Sequence, residues 1–485
     1  MPEAPPGPAL VWFRRDLRLA DNPALAAAAA SGRPVVALFV LDDGESRRPL
    51  GGASRWWLDK SLRALAADLS RIGGRLILRR GEAMVQLLSL AQEIGAGLVT
   101  WNRLYEPALV ERDTALKAEL KSAGIEARSF NAGLLNEPWT VKTGADQPFQ
   151  VFTPYWRAAR ARLGEVEVLP APGRLAAPTT WPVSEVLEDW GLHPRAPDWS
   201  IGFGIWSPGE AGALTRLNRF LSERLADYGR RRDLPGEPGT SGLSPHLHWG
   251  EIGPRQVWRQ AHDHARALGV AAPVQDMDKF LAELGWREFN AQLLFHHPSL
   301  DQSNFRPPFD AFPWRDDRQG LKAWTRGLTG YPMVDAGLRE LWTTGFMHNR
   351  VRMIVASFLI KHLLIDWRAG EAWFWDTLVD ADLASNAANW QWTAGCGADA
   401  APFFRIFNPI TQGQKFDPAG AYVRRWVPEL SRLPDSVLHE PWTADAAILR
   451  AAGVTLGVTY PRPIVDHAMA RARALGALQS LKTAN

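Results

Sequence analysis

The chain changes its periodicity once, and that change limits the architectures open to it. Before about Asn131, short apolar runs rich in β-branched residues alternate with alanine- and leucine-rich stretches; beyond Gly209 only helical spacing recurs. The runs Ala9–Phe13, Val35–Leu41, Arg75–Leu78, Gly97–Trp101 and Ile125–Ser129 predict strands. Pro23–Ala30, Ser54–Arg71 and Glu82–Ile94 predict the helices between them. Such alternation builds a parallel sheet with helices on both faces, because parallel strands need a crossover and a helix supplies it. Ligands of these sheets bind at the carboxyl ends of the strands, where the strand order reverses. No Gly-x-Gly-x-x-Gly follows the first strand, which argues against a dinucleotide there.

From Gly209 onward, amphipathic segments at Ala211–Arg230, Pro254–Leu268, Gln275–Phe295, Val334–Trp342, Val351–Asp366 and Glu371–Val379 predict an all-helical half. The stretch between the halves is dense in proline, including Pro138, Pro154, Pro170, Pro172, Pro178, Pro182, Pro194 and Pro197. It reads as a long connection over the surface. The expected organisation is a Rossmann-like α/β domain over 1–131, a linker over 132–207 and an all-α domain over 208–485. A chain of 485 residues is long enough to need more than one core.

Several classes drop out. The single cysteine, Cys396, excludes a disulfide framework and suits a reducing compartment. Met1–Pro8 is proline-rich rather than basic and then apolar, so no secretory signal is expected and the cytoplasm is the expected location. Val351–Asp366 is strongly apolar but short, and it carries Arg352, Lys361 and His362; a buried helix is expected, with no membrane span. The histidine pairs at His246/His248, His262/His264 and His296/His297 lack carboxylate or thiolate partners at ligand spacing, so no metal is expected. Net charge is only +3, yet Arg230-Arg231-Arg232, Arg350 and Arg352 form local basic groups, suited either to phosphates or to a solvated helix face.

Three clusters can carry chemistry. Gly236–Pro245 combines glycines with Thr240, Ser241 and Ser244; it reads either as a phosphate-holding loop leading into a helix capped by Ser244 or as an ordinary turn and cap. Glu283, Trp286 and Arg287 fall at i, i+3 and i+4 on one helix face, suiting a base edge, a base face and a phosphate, or alternatively a packed indole beside a solvated ion pair. Third, Asp380–Trp392 and Gly345–Arg352 bring acids, amides and arginines beside the apolar segment, with Trp324, Trp342, Trp367, Trp373 and Trp375 nearby among 23 tryptophans. Buried polar groups need something polar to hold. A flat, polar-edged, redox-active cofactor fits.

Together these blocks resemble the DNA photolyase/cryptochrome family. The resemblance runs from Trp12–Asn22 through Trp324–Asp335, Met347–Met353, Asn386–Trp392 and Phe404–Pro409 to Tyr460–Val465, nearly the whole chain. It implies an α/β antenna domain, a long linker and a helical domain holding FAD. It assigns Tyr228, Thr240, Ser241, Gly242, Leu243 and Ser244 to the FAD diphosphate region, with Arg287 nearby. Arg352 and Asp380 resemble the ion pair beside the isoalloxazine, Asp382 its polar-edge partner, and Asn386 the residue facing N5. Asn349 belongs to the same wall.

Lesion-contacting positions correspond to Glu283, Trp286, Asn349, Arg350, Met353 and Trp392, with Arg232 as a phosphate contact. The catalytic set implied is Glu283, Asn349, Arg352 and Asn386. Electron transfer is assigned to Trp390, Trp367 and Trp314. Plant-type cryptochromes usually carry Asp at the position of Asn386, and (6-4) photolyases carry histidines at those of Asn349 and Met353. The resemblance therefore implies light-driven repair of cyclobutane pyrimidine dimers in UV-damaged DNA, by a monomer without an obligate protein partner. The alternative is a blue-light photoreceptor without repair; the short stretch after Tyr460–Val465 leaves no signalling tail for it. Trp101–Pro107 looks more like plant cryptochromes and the class III photolyases than the class I enzymes, and class III is the expected subfamily. Glu106 matches an antenna-binding glutamate, and 5,10-methenyltetrahydrofolate is the expected antenna, with a deazaflavin or FMN as alternatives. Asp301-Gln302 replaces the Cys-Lys pair that helps bind folate in class I enzymes.

Overall fold

In the computed structural model, which describes residues 7–43, 48–269, 273–400 and 404–483, five parallel strands form one sheet in the order β3-β2-β1-β4-β5. They are β1 (Ala9–Phe13), β2 (Val35–Leu41), β3 (Leu76–Arg80), β4 (Leu98–Asn102) and β5 (Glu126–Phe130). The first two match the predicted bounds. The other three start one residue later, and β3 runs on through Arg79 and Arg80, opposite Val40 and Leu41. As an edge strand, β3 can turn those arginines to solvent while its backbone keeps the ladder. β1, β2 and β4 are buried throughout, which is why they read as unbroken apolar runs rather than alternating ones. The chain moves from β1 outward to β3, then returns to place β4 on the other side of β1. The order thus reverses between β1 and β4.

The second half is helical, as periodicity predicts, but two long segments are broken. The run Val351–Asp366 is an α-helix only over Asn349–Ser357; one π-helical turn, Phe358–His362, follows. On this turn the buried Lys361 Nζ donates to the Ala394 carbonyl at 2.9 Å. Leu364 then adopts a left-handed backbone (φ 56), and Asp366 caps a new helix, Trp367–Thr377, by accepting from the Arg368 N–H. Likewise Ala211–Arg230 divides into Glu210–Glu223, a 3-10 turn at Leu225–Asp227 and a short helix Tyr228–Arg231, which brings Tyr228 inward. No helix among the described residues is long and apolar enough to cross a membrane.

The proline-rich connection is more than a surface strap. It contains a helix, Phe152–Arg162, whose Tyr155 and Trp156 are buried against the helical half. Further on, Trp190, Phe203 and Trp206 are buried against the α/β half. Proline density masked these aromatic anchors because they are too widely spaced to register as periodicity.

The two halves are joined by buried polar bonds. Glu251 is fully buried; it accepts from Trp57 Nε1 at 3.0 Å and from the Ser61 hydroxyl, both on the Gly52–Arg71 helix, and pairs with His246 Nδ1 at 2.5 Å. Glu251→Ala leaves all three partners buried without an acceptor. The expected loss is about 3–5 kcal/mol, the usual cost of removing one member of a buried pair. Thermal unfolding followed by tryptophan fluorescence should show a clearly lowered Tm, whereas Glu223→Ala on the exposed surface should leave it unchanged.

Candidate cofactor and nucleic-acid site

Two cavities meet along a shared wall in the helical half. The first, ≈ 270 Å³, is lined by Tyr228 and Thr240–Ser244; the second, ≈ 370 Å³, by Arg232, Arg350, Met353, Asn386, Trp390 and Trp392. Glu283, Trp286, Asn349, Arg352, Asp380 and Asp382 line both. Every cofactor and lesion position inferred from the sequence therefore borders one cavity or the other, Arg287 being on the first.

The shared wall is built from charged groups that satisfy one another. Arg352 donates to both Asp380 oxygens at 3.1 and 2.9 Å and, through Nε, to the Met347 carbonyl at 2.7 Å. The Ser244 hydroxyl donates to Asp380 Oδ2 at 2.6 Å. Ser244 is thus not the side-chain cap predicted for the helix Ser244–His248: the carboxylate competes successfully for its hydroxyl, and the helix starts from Leu243 without a side-chain cap. Asp382 caps the Leu383–Ala394 helix through the Ser385 N–H at 2.8 Å. Burial pushes the Asp382 carboxyl up, but His248 at 3.7 Å, Arg287 and the Ser385 N–H more than offset it and hold it below the usual carboxylate range.

His348 sets the position of Asn349, Arg350, Arg352 and Met353. Burial drives its imidazole down to about 4, so the ring is neutral at pH 7 and Nδ1 can accept from the Arg350 N–H at 3.2 Å, capping their helix. Arg232 pairs with Glu283 at 2.7 Å, and Arg350 with Asp233 at 2.9 Å. Burial raises the Glu283 carboxyl above its usual value against the opposing charge of Arg232. Arg287 donates to the carbonyls of Gly133 and Leu247, so it ties the linker to the cavity floor.

Asn386 has partners the sequence did not suggest. Its Nδ2 donates to the Glu371 carbonyl at 3.0 Å and to Glu371 Oε1 at 2.7 Å. Both N–H groups being engaged, the amide offers the cavity only its carbonyl oxygen, an acceptor. Glu371 is held in turn by Arg48 from the α/β half, in two bonds of 2.7 Å. No local pattern could have found this pair, whose members lie 323 residues apart.

Trp390 is buried against the Trp367–Thr377 helix at Gly370, where an added Cβ would stand 2.1 Å from the benzo edge of the indole. Its ring lies 5.0 Å from Phe374 and 6.2 Å from Trp324. Trp367 is fully buried and donates to Asn304 at 2.9 Å, whereas Trp314 is half-buried beside Phe312. Glu106 lies in a narrow crevice of ≈ 70 Å³ at the carboxyl ends of β1 and β4, where it pairs with Arg15; His248, Arg287 and Asp382 line both this crevice and the first cavity. The crevice is at the sheet's reversal point. Among the described residues no group of three His, Cys, Asp or Glu side chains could hold a metal ion.

The donor set fits FAD. Hydroxyls and loop N–H groups on one cavity suit an anionic diphosphate, and the Arg352–Asp380 pair in the dividing wall suits the polar edge of a flat heterocycle. Comparison with known proteins agrees. Residues 9–173 match the family model for DNA photolyase, and residues 280–480 that for the FAD-binding domain of DNA photolyase. The chain is 53% identical to a deoxyribodipyrimidine photo-lyase of Agrobacterium fabrum, over 98% of each protein. It is 41% identical to cryptochrome-1 of Arabidopsis thaliana, over 98% of this chain and 70% of that one. The crystal structure of a bacterial class III photolyase from Agrobacterium tumefaciens superposes with a TM-score of 0.96 at 52% identity, covering 99% of both chains. From β1 to the last helix, in sequence and in fold, this chain belongs to the DNA photolyase family.

Proposed function

We propose that the protein is a deoxyribodipyrimidine photo-lyase, repairing cyclobutane pyrimidine dimers in UV-damaged DNA under light. The observation that carries this reading is the shared wall: a polar cavity suited to FAD adjoins a second cavity bordered by the indoles of Trp286, Trp390 and Trp392 and by the guanidinium groups of Arg232 and Arg350. Bound and reduced, FAD supplies a light-excited electron that opens the cyclobutane ring and is afterwards returned. The chain's own residues do the rest.

Arg232 and Arg350 neutralise phosphates at the rim, giving salt-dependent affinity. A dimer stacks and pairs poorly, so flipping it out of the duplex costs less than flipping an intact pair. Trp286 and Trp392 then pack against it. Glu283, held at the cavity wall by its pair with Arg232, can accept a hydrogen bond from a pyrimidine N–H. Arg352 places a cation, paired by Asp380, in the wall that the cofactor and the lesion share, and Asn386 presents an acceptor there. Asn349 and Met353 leave no imidazole acid for a (6-4) lesion. Asn386, rather than Asp, supports repair over the photoreceptor alternative. The enzyme acts as a monomer in the cytoplasm on this reading. For the antenna we propose 5,10-methenyltetrahydrofolate at the β1/β4 crevice, with Glu106 accepting from its amino-pyrimidine edge once the Arg15 pair opens. Chromophores released from purified holoenzyme should include a folate, and Glu106→Ala should abolish its near-ultraviolet band.

Near-ultraviolet or blue light should remove thymine dimers from irradiated DNA in reducing buffer. Repair confined to (6-4) lesions, or none in the light, sinks the proposal. Trp390→Phe should largely block photoreduction of oxidised FAD yet leave repair by chemically reduced enzyme nearly intact, because that indole feeds the flavin and not the lesion; equal loss of both activities would make Trp390 a packing residue alone.

Trp286→Ala should weaken binding of damaged DNA more than of undamaged DNA, by about 1–3 kcal/mol, the usual value of one base–aromatic stack. Arg232→Ala should weaken binding of both DNAs and lower the salt slope of each by about one, as loss of one phosphate contact does. A salt series measured with both DNAs separates the two cases.

A further inference from the structure

We infer that Phe152 and Asp399 are positioning residues that hold two indoles of the lesion cavity, Trp286 and Trp392, as one frame; this rests on the lesion-pocket reading above. The Phe152 ring lies parallel to the Trp286 indole, with centroids 3.7 Å apart and 8° between planes. Trp156 continues the pile at 6.5 Å and 11°. The pile fits against the helix because residue 285 is glycine: an added Cβ would stand 2.6 Å from the Trp156 ring. At this spacing nothing can enter between Phe152 and Trp286, so only the opposite indole face is open to a base.

The same linker residue is tied to the other indole. The Phe152 N–H donates to Asp399 Oδ2 at 3.3 Å, and the Asp399 carbonyl accepts from Trp392 Nε1 at 3.0 Å. Asp399 makes both bonds from a left-handed backbone (φ 52), a region that Asp, Asn and Gly adopt far more readily than other residues. Asp399, five residues past the Leu383–Ala394 helix, thus connects across 247 positions to the first turn of the linker helix. Side chains ordered in advance lose little freedom when a flipped pair docks, which favours damaged DNA specifically.

The test measures the ratio of affinities for damaged and undamaged oligonucleotides, in the dark, with FAD-loaded protein. Phe152→Leu keeps an apolar side chain without a flat ring; Asp399→Gly keeps the backbone conformation without the carboxylate. Both should lower the ratio about 2- to 10-fold, the range set by disordering one side chain, with bound FAD and its absorption spectrum unchanged. Asp399→Asn retains an acceptor and should restore the ratio. In a Trp286→Ala background Phe152→Leu should add no further loss. If Phe152→Leu and Asp399→Gly leave the ratio intact while Trp286→Ala lowers it, the positioning role is wrong and the lesion pocket stands. If Trp286→Ala also leaves it intact, the lesion-pocket reading itself falls. A further drop in the Trp286→Ala background overturns the coupling.

Discussion

An arginine and an aspartate held together inside the helical half organise the site. Removing two such charges from water costs several kcal/mol each unless geometry and further hydrogen bonds compensate. Arg352 and Asp380 meet that condition with two bonds to each other, one from Ser244 and one to the Met347 carbonyl. Three stretches distant in sequence are fixed by those bonds: the glycine-rich loop, the helix beginning at Asn349 and the segment leading to Asp382. The boundary between the two cavities follows from that junction. In the function proposed above, the pair sets where the cofactor ends and a second ligand begins, before either is bound.

The architecture was largely legible in the sequence because it is written in local periods. Buried parallel strands read as continuous apolar runs, and helices as recurrences of three and four. What periodicity could not give was anything resting on long-range pairing. Ser244 looked like a cap because serine before proline usually is one; only the fold brings Asp380, 136 positions away, within reach of its hydroxyl. The segment Val351–Asp366 looked continuous because its apolar content is continuous, and a π turn changes hydrogen-bond register without changing composition. The linker misled for the opposite reason: its prolines are dense and its anchors, Tyr155, Trp156, Trp190, Phe203 and Trp206, are sparse.

The site itself was legible to the extent that its residues occur in compact motifs. Asn349–Met353 and Asp380–Trp392 each supply several wall positions from a single helix or its approach, so one block of sequence carries much of the geometry. Glu371, Arg48, Phe152 and Asp399 belong to no such block. They act by orienting residues that do, and a side chain that merely orients another leaves no compositional trace at its own position.

One of those supports reaches outside the helical half. The direction in which Asn386 presents its amide is fixed by Glu371, and Glu371 is gripped by Arg48, which lies just ahead of the Gly52–Arg71 helix and stacks over Trp375 at 4.4 Å. The α/β half is consequently not a detachable accessory. A chimaera that grafts a foreign α/β domain onto this helical half inherits the cavity walls but not the amide's orientation, unless the donor also carries a guanidinium at that point. Arg48 therefore joins the Glu251 network as a place where the two halves cannot be exchanged independently.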